Sequence, residues 1–223
     1  MLERTILKAC VLRSGAEQPA VLRERLKGVF PPGASRRMTL LGMLVGSAIA
    51  RASPEPVEAV VYSSAFGESL SLEAYLRSYP CPSPTLFQSS IHPSAFQQQH
   101  ILAQRSVARA VPLAGGPELV LQSALACAVA PEGRLLWCGG EERGSWLREL
   151  GIAADESFAF AMLLGLASDP SPIGRLRLEA SPASGSLSLG SWARMLDERV
   201  AWSGPAGEGW TLHLEWTGPG HER

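Results

Sequence analysis

The sequence predicts an α/β layered fold with a largely parallel central sheet. Short apolar runs typical of buried strands alternate with helical patterns over the first 180 residues. With 223 residues, of which 46% are hydrophobic, the chain is long enough to bury a full core. After residue 180 Ser, Gly and Pro increase and Trp192, Trp202, Trp210 and Trp216 cluster. We therefore predict a core domain over 1–180 and a Trp-rich C-terminal appendage over 181–223, packed on that core.

The first elements follow from apolar spacing. Thr5 to Leu12 is β-like and is expected to open the sheet. Ala20 to Phe30 has apolar residues at helical spacing and is broken by Pro31-Pro32-Gly33. Met38 to Ala50 is rich in Leu, Met and Ala, which predicts a core helix. Glu58 to Ser63 reads as a short buried strand.

The middle of the chain continues the alternation. Ser71 to Ser78 is predicted as a short helix capped by Ser71, and Pro80 to Pro84 as a rigid loop. The polar segment Gln97 to Arg105 is predicted as a helix, and Arg109 to Leu113 as a short strand. Pro117 to Ala130 is predicted as a helix with Pro at its first position. This helix is apolar nearly all round, so it belongs in a core or at a subunit interface.

The remaining elements are shorter. Arg134 to Cys138 is a buried strand that ends at Gly139-Gly140. Phe158 to Ala167 and Leu176 to Glu179 are predicted strands. A helix is predicted near Ser191 to Arg199, followed by a β-like end.

Composition excludes several classes of function. The net charge is -1 and no basic or acidic block occurs, so neither a nucleic-acid partner nor an anionic membrane surface is expected. We expect no secretory signal, because charged residues interrupt the first twelve positions. No apolar run approaches the ~20 residues of a membrane span.

Cysteine usage indicates no metal or redox site. The spacing of the four cysteines, Cys10, Cys81, Cys127 and Cys138, matches no zinc or redox pattern. Cys81 with His92 and His100 is not a usual ligand set either. We therefore expect no metal and no cofactor, and a reduced, cytoplasmic protein.

The turn before the apolar helix is where several enzyme folds mount a nucleophile. A cysteine at such a helix N-terminus has a lowered pKa and becomes nucleophilic. Gly115 and Gly116 occupy this turn and have no reactive side chain. A simple strand-to-helix turn is the plain interpretation of the same residues.

Other nucleophiles remain open as alternatives. Ser64 follows a predicted strand and Cys138 ends another, so a self-contained acyl-transfer or hydrolytic enzyme using either residue is one alternative. However, the chain has no Gly-x-Ser-x-Gly elbow, no histidine in a plausible place to complete a triad, and no phosphate-binding loop.

Several weak motifs occur in a characteristic order from about residue 35 to 165. Together they resemble the short β-ketoacyl synthase-like proteins called chain length factors. The central match is Ser83-Pro84-Thr85, Phe87, Ser90-Ile91-His92 and then Ala114-Gly115. Flanking matches are Arg36-Arg37-Met38, the segment Val60 to Glu68, and the segment Leu135 to Glu142.

The resemblance implies a thiolase-like fold, equivalent to the N-terminal half of a ketosynthase with a mixed central sheet and a tail. The family's cysteine falls at or beside Gly115-Gly116, and its histidine pair has no counterpart, because His213 and His221 lack the surrounding motifs. It therefore implies a subunit that is not catalytic alone. A homodimeric thiolase-fold scaffold is a further alternative.

The resemblance also implies partners and an interface. The partner is a catalytic β-ketoacyl-ACP synthase, in a heterodimer or higher heteromer, and acyl carrier protein is reached through the complex. This chain would shape the partner's acyl tunnel in polyene, polyketide or fatty-acid-type biosynthesis. Residues implied at the interface or tunnel are Phe87, His92, Phe96, Gly115 and Gly116; a structural role is expected for the His92 ring.

Overall fold

The computed structural model describes residues 1–53, 55–142, 147, 149–152 and 156–217. Eight strands form one sheet in the order β3-β2-β4-β5-β1-β6-β8-β7. The strands are β1 Leu2–Arg13, β2 Ala59–Ser64, β3 Arg109–Ala114, β4 Leu135–Glu141, β5 Phe158–Gly165, β6 Gly174–Ala180, β7 Trp202–Gly207 and β8 Trp210–Trp216. The α-helices are α1 Pro19–Lys27, α2 Leu40–Ala52, α3 Ser69–Arg77, α4 Pro84–Ser90, α5 Ser94–Leu102, α6 Leu119–Val129 and α7 Leu189–Glu198.

The sheet is mixed, as the resemblance implied, and the expectation of a largely parallel sheet was wrong. β2 pairs in parallel with β3 and β4, whereas the other neighbouring strands pair antiparallel. Neighbouring parallel strands need a crossover connection; α3 to α5 connect β2 to β3, and α6 connects β3 to β4. β1 lies between β5 and β6 and runs antiparallel to both. The order of strands and helices along the chain does not predict this pairing.

Helices cover both faces of the sheet, and strand alternation divides the core in two. Val60, Leu136 and Ala161 point to the side covered by α1, α2 and α5. Val61 and Trp137, one position along, face the side covered by α6 and α7. Burial on both faces explains why these strands are apolar throughout.

Residues beyond 180 complete the same sheet. β8 pairs with β6, and β7 pairs with β8 as the outer strand. Trp192 of α7 is fully buried and stacks on Trp137 of β4, with ring centroids 4.9 Å apart. The Trp137 indole donates a hydrogen bond to Ser63 Oγ at 2.9 Å. The division at residue 180 stays a prediction.

A buried arginine joins the first strand to the end of α6. The Arg4 side chain is 2% exposed. Its guanidinium donates to the carbonyls of Cys127 at 3.0 Å and Glu132 at 2.9 Å, and also to that of Ala130. The last carbonyls of a helix lack partners within the helix, so Arg4 satisfies groups that would otherwise be buried without hydrogen bonds.

Most predicted elements are confirmed, and three local expectations were wrong. Ser71 lies inside α3, which begins at Ser69, so it does not cap that helix. Pro117 precedes α6, whose first residue is Leu119. Pro84, predicted in a loop, is the first residue of α4, where the Ser83 hydroxyl accepts from the Leu86 N–H at 3.4 Å. Within the described residues, no helix has the length and apolarity needed to cross a membrane.

Candidate functional site

The motifs of the sequence meet at one edge of the sheet. Because β2, β3 and β4 are parallel, their carboxyl ends lie side by side, which is where α/β sheets bind ligands. The turn from Ala65 to Gly67 follows β2, and the turn Gly115-Gly116 follows β3. β4 ends at Glu141, with Glu142 directly after it.

The Gly115-Gly116 turn has a backbone conformation that favours glycine. The φ angles of the two residues are 74° and 79°, in the left-handed region. The Gly115 N–H donates to the Ser64 carbonyl at 3.3 Å, which ties this turn to the end of β2. A Cβ at Gly116 would meet no atom within 4 Å, so the site has room for a side chain but the backbone disfavours one.

Glu141 fastens the turn after β2. Its carboxylate accepts from the backbone N–H of Ala65, and from that of Phe66 at 3.3 Å. The residue is 2% exposed. Burial raises the pKa of Glu141 to about 8, even though these hydrogen bonds favour the ionised form. At neutral pH the carboxyl is therefore largely protonated.

Glu142 holds the starts of two helices. It is 2% exposed, and its carboxylate accepts from the Leu70 N–H of α3 at 3.2 Å. Burial raises the pKa of Glu142 to about 7, opposed by hydrogen bonds from the backbone N–H groups of Leu70, Leu41 and Ser71. Leu41 lies in the first turn of α2, so one carboxylate faces the positive ends of both helices.

Glu68 joins two of the resemblance motifs. It is 3% exposed and accepts from the Ala95 N–H at 3.0 Å. Its other oxygen lies 3.3 Å from His92 Nδ1. The His92 ring also lies against Tyr62, with centroids 5.0 Å apart. These contacts agree with a structural role for His92, which stays a prediction.

The two phenylalanines predicted at the interface differ in exposure. Phe96 is 2% exposed and packs beside Tyr62 at a centroid distance of 5.4 Å. Phe87 is 49% exposed on α4 and contacts the Tyr75 ring at 5.4 Å. The structure therefore puts Phe87 on the surface and Phe96 inside this chain, and their roles at an interface stay predictions.

A cavity of about 410 Å³ opens beside the glycine turn. It is bounded by the turns after β2 and β3, by Glu141, by the start of β5, and by the start of α7. The Gly115-Gly116 turn thus borders a space of ligand size. Gly116 lines it, together with Phe66 and Phe158.

The structure gives the two alternative nucleophiles no access. Ser64 and Cys138 are both fully buried. The Ser64 hydroxyl accepts a hydrogen bond from the Gly67 N–H at 3.0 Å, which stabilises the turn after β2. Burial raises the pKa of the Cys138 thiol far above its ordinary value, which disfavours the thiolate needed for attack.

The remaining histidines lie elsewhere. His100 is buried in α5, with Nδ1 3.1 Å from the Phe96 carbonyl. His213 lies on β8, near Ser203 and Glu179, and His221 lies outside the described residues. Over the described part of the chain, no three His, Cys, Asp or Glu side chains are grouped so as to hold a metal ion.

Sequence reasoning missed what the three buried glutamates do. Glu68, Glu141 and Glu142 were noticed only as motif letters, yet each accepts backbone N–H groups from another segment. A glutamate next to an apolar strand or helix is the sequence signal that could have indicated this role. If such a carboxylate is buried, it needs hydrogen-bond donors such as backbone N–H groups. Their partners are distant in sequence and were not predictable.

Solved structures of ketosynthase systems share this fold. A ketosynthase, ApeO, in complex with its chain length factor, ApeC, from Xenorhabdus doucetiae matches with a TM-score of 0.70 and 17% identity, over 96% of this chain and 100% of that chain. The ishigamide ketosynthase/chain length factor matches with a TM-score of 0.55 and 13% identity, over 81% of this chain and 68% of that chain.

A third structure is the type II polyketide synthase acyl-carrier protein in complex with its ketosynthase bound to the hexaketide, AntDE:AntF. It matches with a TM-score of 0.53 and 10% identity, over 82% of this chain and 71% of that chain. No family model and no curated protein sequence matches the chain. The structural likeness shows the thiolase-like ketosynthase fold that the sequence motifs implied.

Proposed function

We propose that this chain is a chain length factor-like subunit without catalytic activity of its own. It pairs with a catalytic β-ketoacyl-ACP synthase and shapes the acyl tunnel of that partner in polyene, polyketide or fatty-acid-type biosynthesis. One observation carries the proposal: the chain has the ketosynthase fold, but Gly115 and Gly116 occupy the turn where the resemblance places the nucleophilic cysteine.

Chain length supports the same proposal. The match to the ApeO–ApeC complex covers 96% of this chain and 100% of the matched chain, so the two chains are of similar length. That complex contains a ketosynthase and its chain length factor. Residues 1–223 contain no counterpart of the catalytic histidine pair that the resemblance expects. Acyl carrier protein would therefore be reached through the partner, in the cytoplasm.

An uncovered surface on α6 and β3 supports pairing with another subunit. β3 is an outer strand of the sheet and exposes one backbone edge. On α6, Gln122, Leu125, Ala126 and Val129 lie on one face at helical spacing, and all four are exposed or half-buried. A mainly apolar face beside a free strand edge is typical of a subunit interface.

Co-purification tests the proposal. The chain is co-expressed with its cognate ketosynthase, and only the ketosynthase carries a tag. We expect a stoichiometric complex, and condensation activity only when both are present. An untagged chain that stays monomeric and is not retained with the ketosynthase would contradict the proposal.

A pair of matched variants locates the interface. Val129→Arg puts a charge on the exposed face of α6, where the side chain is 65% exposed, and should abolish retention. Val21→Arg changes a valine that is 57% exposed on α1 and should leave retention intact. Equal retention of the two variants would exclude α6 from the interface.

A further inference from the structure

The cavity at the carboxyl edge of the sheet has the size of a small-molecule site. Its volume of about 410 Å³ lies within the range of ligand pockets in proteins. Residues from both ends of the chain enclose it, since Arg13 ends β1 and Leu189 begins α7.

Much of the lining is apolar. Phe66, Leu119, Phe158, Leu187 and Leu189 contribute to the walls. Transfer of a hydrocarbon chain from water to such walls is favourable by about 25 cal/mol for each Å² of apolar surface buried. These side chains favour a ligand with an aliphatic part.

The charged groups around the cavity favour an anion. Arg13 is paired with Glu156 and lies 3.8 Å from Asp197. Glu141 is held by backbone N–H groups and is largely protonated at neutral pH, because burial raises its pKa. Arg194 lines the cavity and has no ion pair with any residue that the structure describes. The positive ends of α6 and α7 face the same space.

We propose that this cavity binds a medium-chain aliphatic carboxylate. The hydrocarbon chain lies between the walls formed by Phe66, Leu119 and Phe158, and the carboxylate pairs with the Arg194 guanidinium. The inference goes beyond the proposed function, because it assigns a ligand to this chain rather than to its partner.

Calorimetric titration with three probes tests both parts of the ligand. Octanoate has the chain and the charge, 1-octanol has the chain alone, and acetate has the charge alone. The full chain is used, or its complex with the ketosynthase where the two are purified together. We expect saturable binding of octanoate, weaker binding of octanol, and no binding of acetate.

Two variants assign the binding to this cavity. Arg194→Ala should weaken octanoate binding about tenfold or more and leave octanol unchanged, because only the charged hydrogen bond is lost. Gly190→Phe should abolish binding of both, since Gly190 lines the cavity and a Cβ there would lie 3.8 Å from the Phe158 ring. In a complex, these effects separate binding by this chain from binding by the ketosynthase.

Matched controls exclude general effects. Arg37→Ala removes an exposed arginine, and Gly28→Phe adds a ring at a position with no atom within 4 Å of a Cβ; both should bind octanoate as the unmodified chain does. Circular dichroism verifies that each variant is folded.

Absent octanoate binding, or binding that survives Arg194→Ala or Gly190→Phe at full strength, would overturn the inference. Co-purification with the ketosynthase is measured separately, so its failure does not affect this result.

Discussion

Glu141 makes the stability of this protein depend on pH in an unusual direction. Its carboxyl is buried between the ends of β2 and β4 and accepts from the N–H groups of Ala65 and Phe66. Replacement by glutamine removes the ionisable proton and keeps one carbonyl oxygen, which replaces only one of the two acceptors; that loss does not change with pH. The comparison of the unmodified chain with Glu141→Gln therefore isolates the effect of ionisation.

The sign follows from proton binding. The folded chain keeps the Glu141 proton up to a pH of about 8, whereas the unfolded chain loses it near the ordinary pKa of 4.5. Between these values the folded state binds more protons, so the free energy of unfolding falls as the pH rises. One pKa unit corresponds to about 1.4 kcal/mol, so the unmodified chain loses about 3 kcal/mol between pH 5.5 and pH 7.5 that the variant retains.

Urea unfolding at pH 5.5, 6.5 and 7.5 measures this difference. The gap between the variant and the unmodified chain should widen by about 1.4 kcal/mol for each pH unit. Glu24→Gln removes a carboxylate whose side chain is 73% exposed and should leave the profile parallel to that of the unmodified chain. Parallel profiles for Glu141→Gln would refute the reasoning that burial raises this pKa.

Three further predictions concern the fold and the glycine turn. Arg4→Ala should lower the free energy of unfolding by about 3 kcal/mol, because the buried carbonyls at the end of α6 lose their donor; urea unfolding checks this, and a loss below about 1 kcal/mol would contradict it. Glu68→Ala should cost about 2 kcal/mol in the same assay, since the buried Ala95 N–H loses its acceptor; an unchanged midpoint would count against this role. Gly116→Cys should give no condensing activity with malonyl-ACP, because no histidine pair accompanies it; measurable product from the isolated variant would overturn the proposed absence of catalysis.

Local patterns predicted most elements of the fold. The apolar run of α2 and the short apolar strands are signals that need no tertiary context, and the structure confirms them. The helix α4 was missed, although Ser83 before Pro84 is a recognisable N-terminal signal. The strand directions were misjudged, because β1 pairs with β5, which is distant in sequence: Arg13 pairs with Phe158, and Thr5 pairs with Gly165.

The candidate site was only partly predictable. Motif order located Gly115 and Gly116 at a turn before an apolar helix, and the structure agrees. The contact of Glu68 with His92 and the clamp by Glu141 depend on which strand ends lie side by side. That information is a property of the sheet order, which local spacing does not contain.

The central position of β1 has a consequence for synthesis of the chain. β1 leaves the ribosome before the other strands of this sheet, yet it lies between β5 and β6, and its pairing runs from Arg13 with Phe158 to Leu2 with Leu178. It therefore has no strand partner until most of the chain has been translated. Contacts of such sequence separation slow folding and leave apolar strands exposed meanwhile. In a nascent chain, β1 should thus stay unpaired and open to chaperones until β5 and β6 have been synthesised.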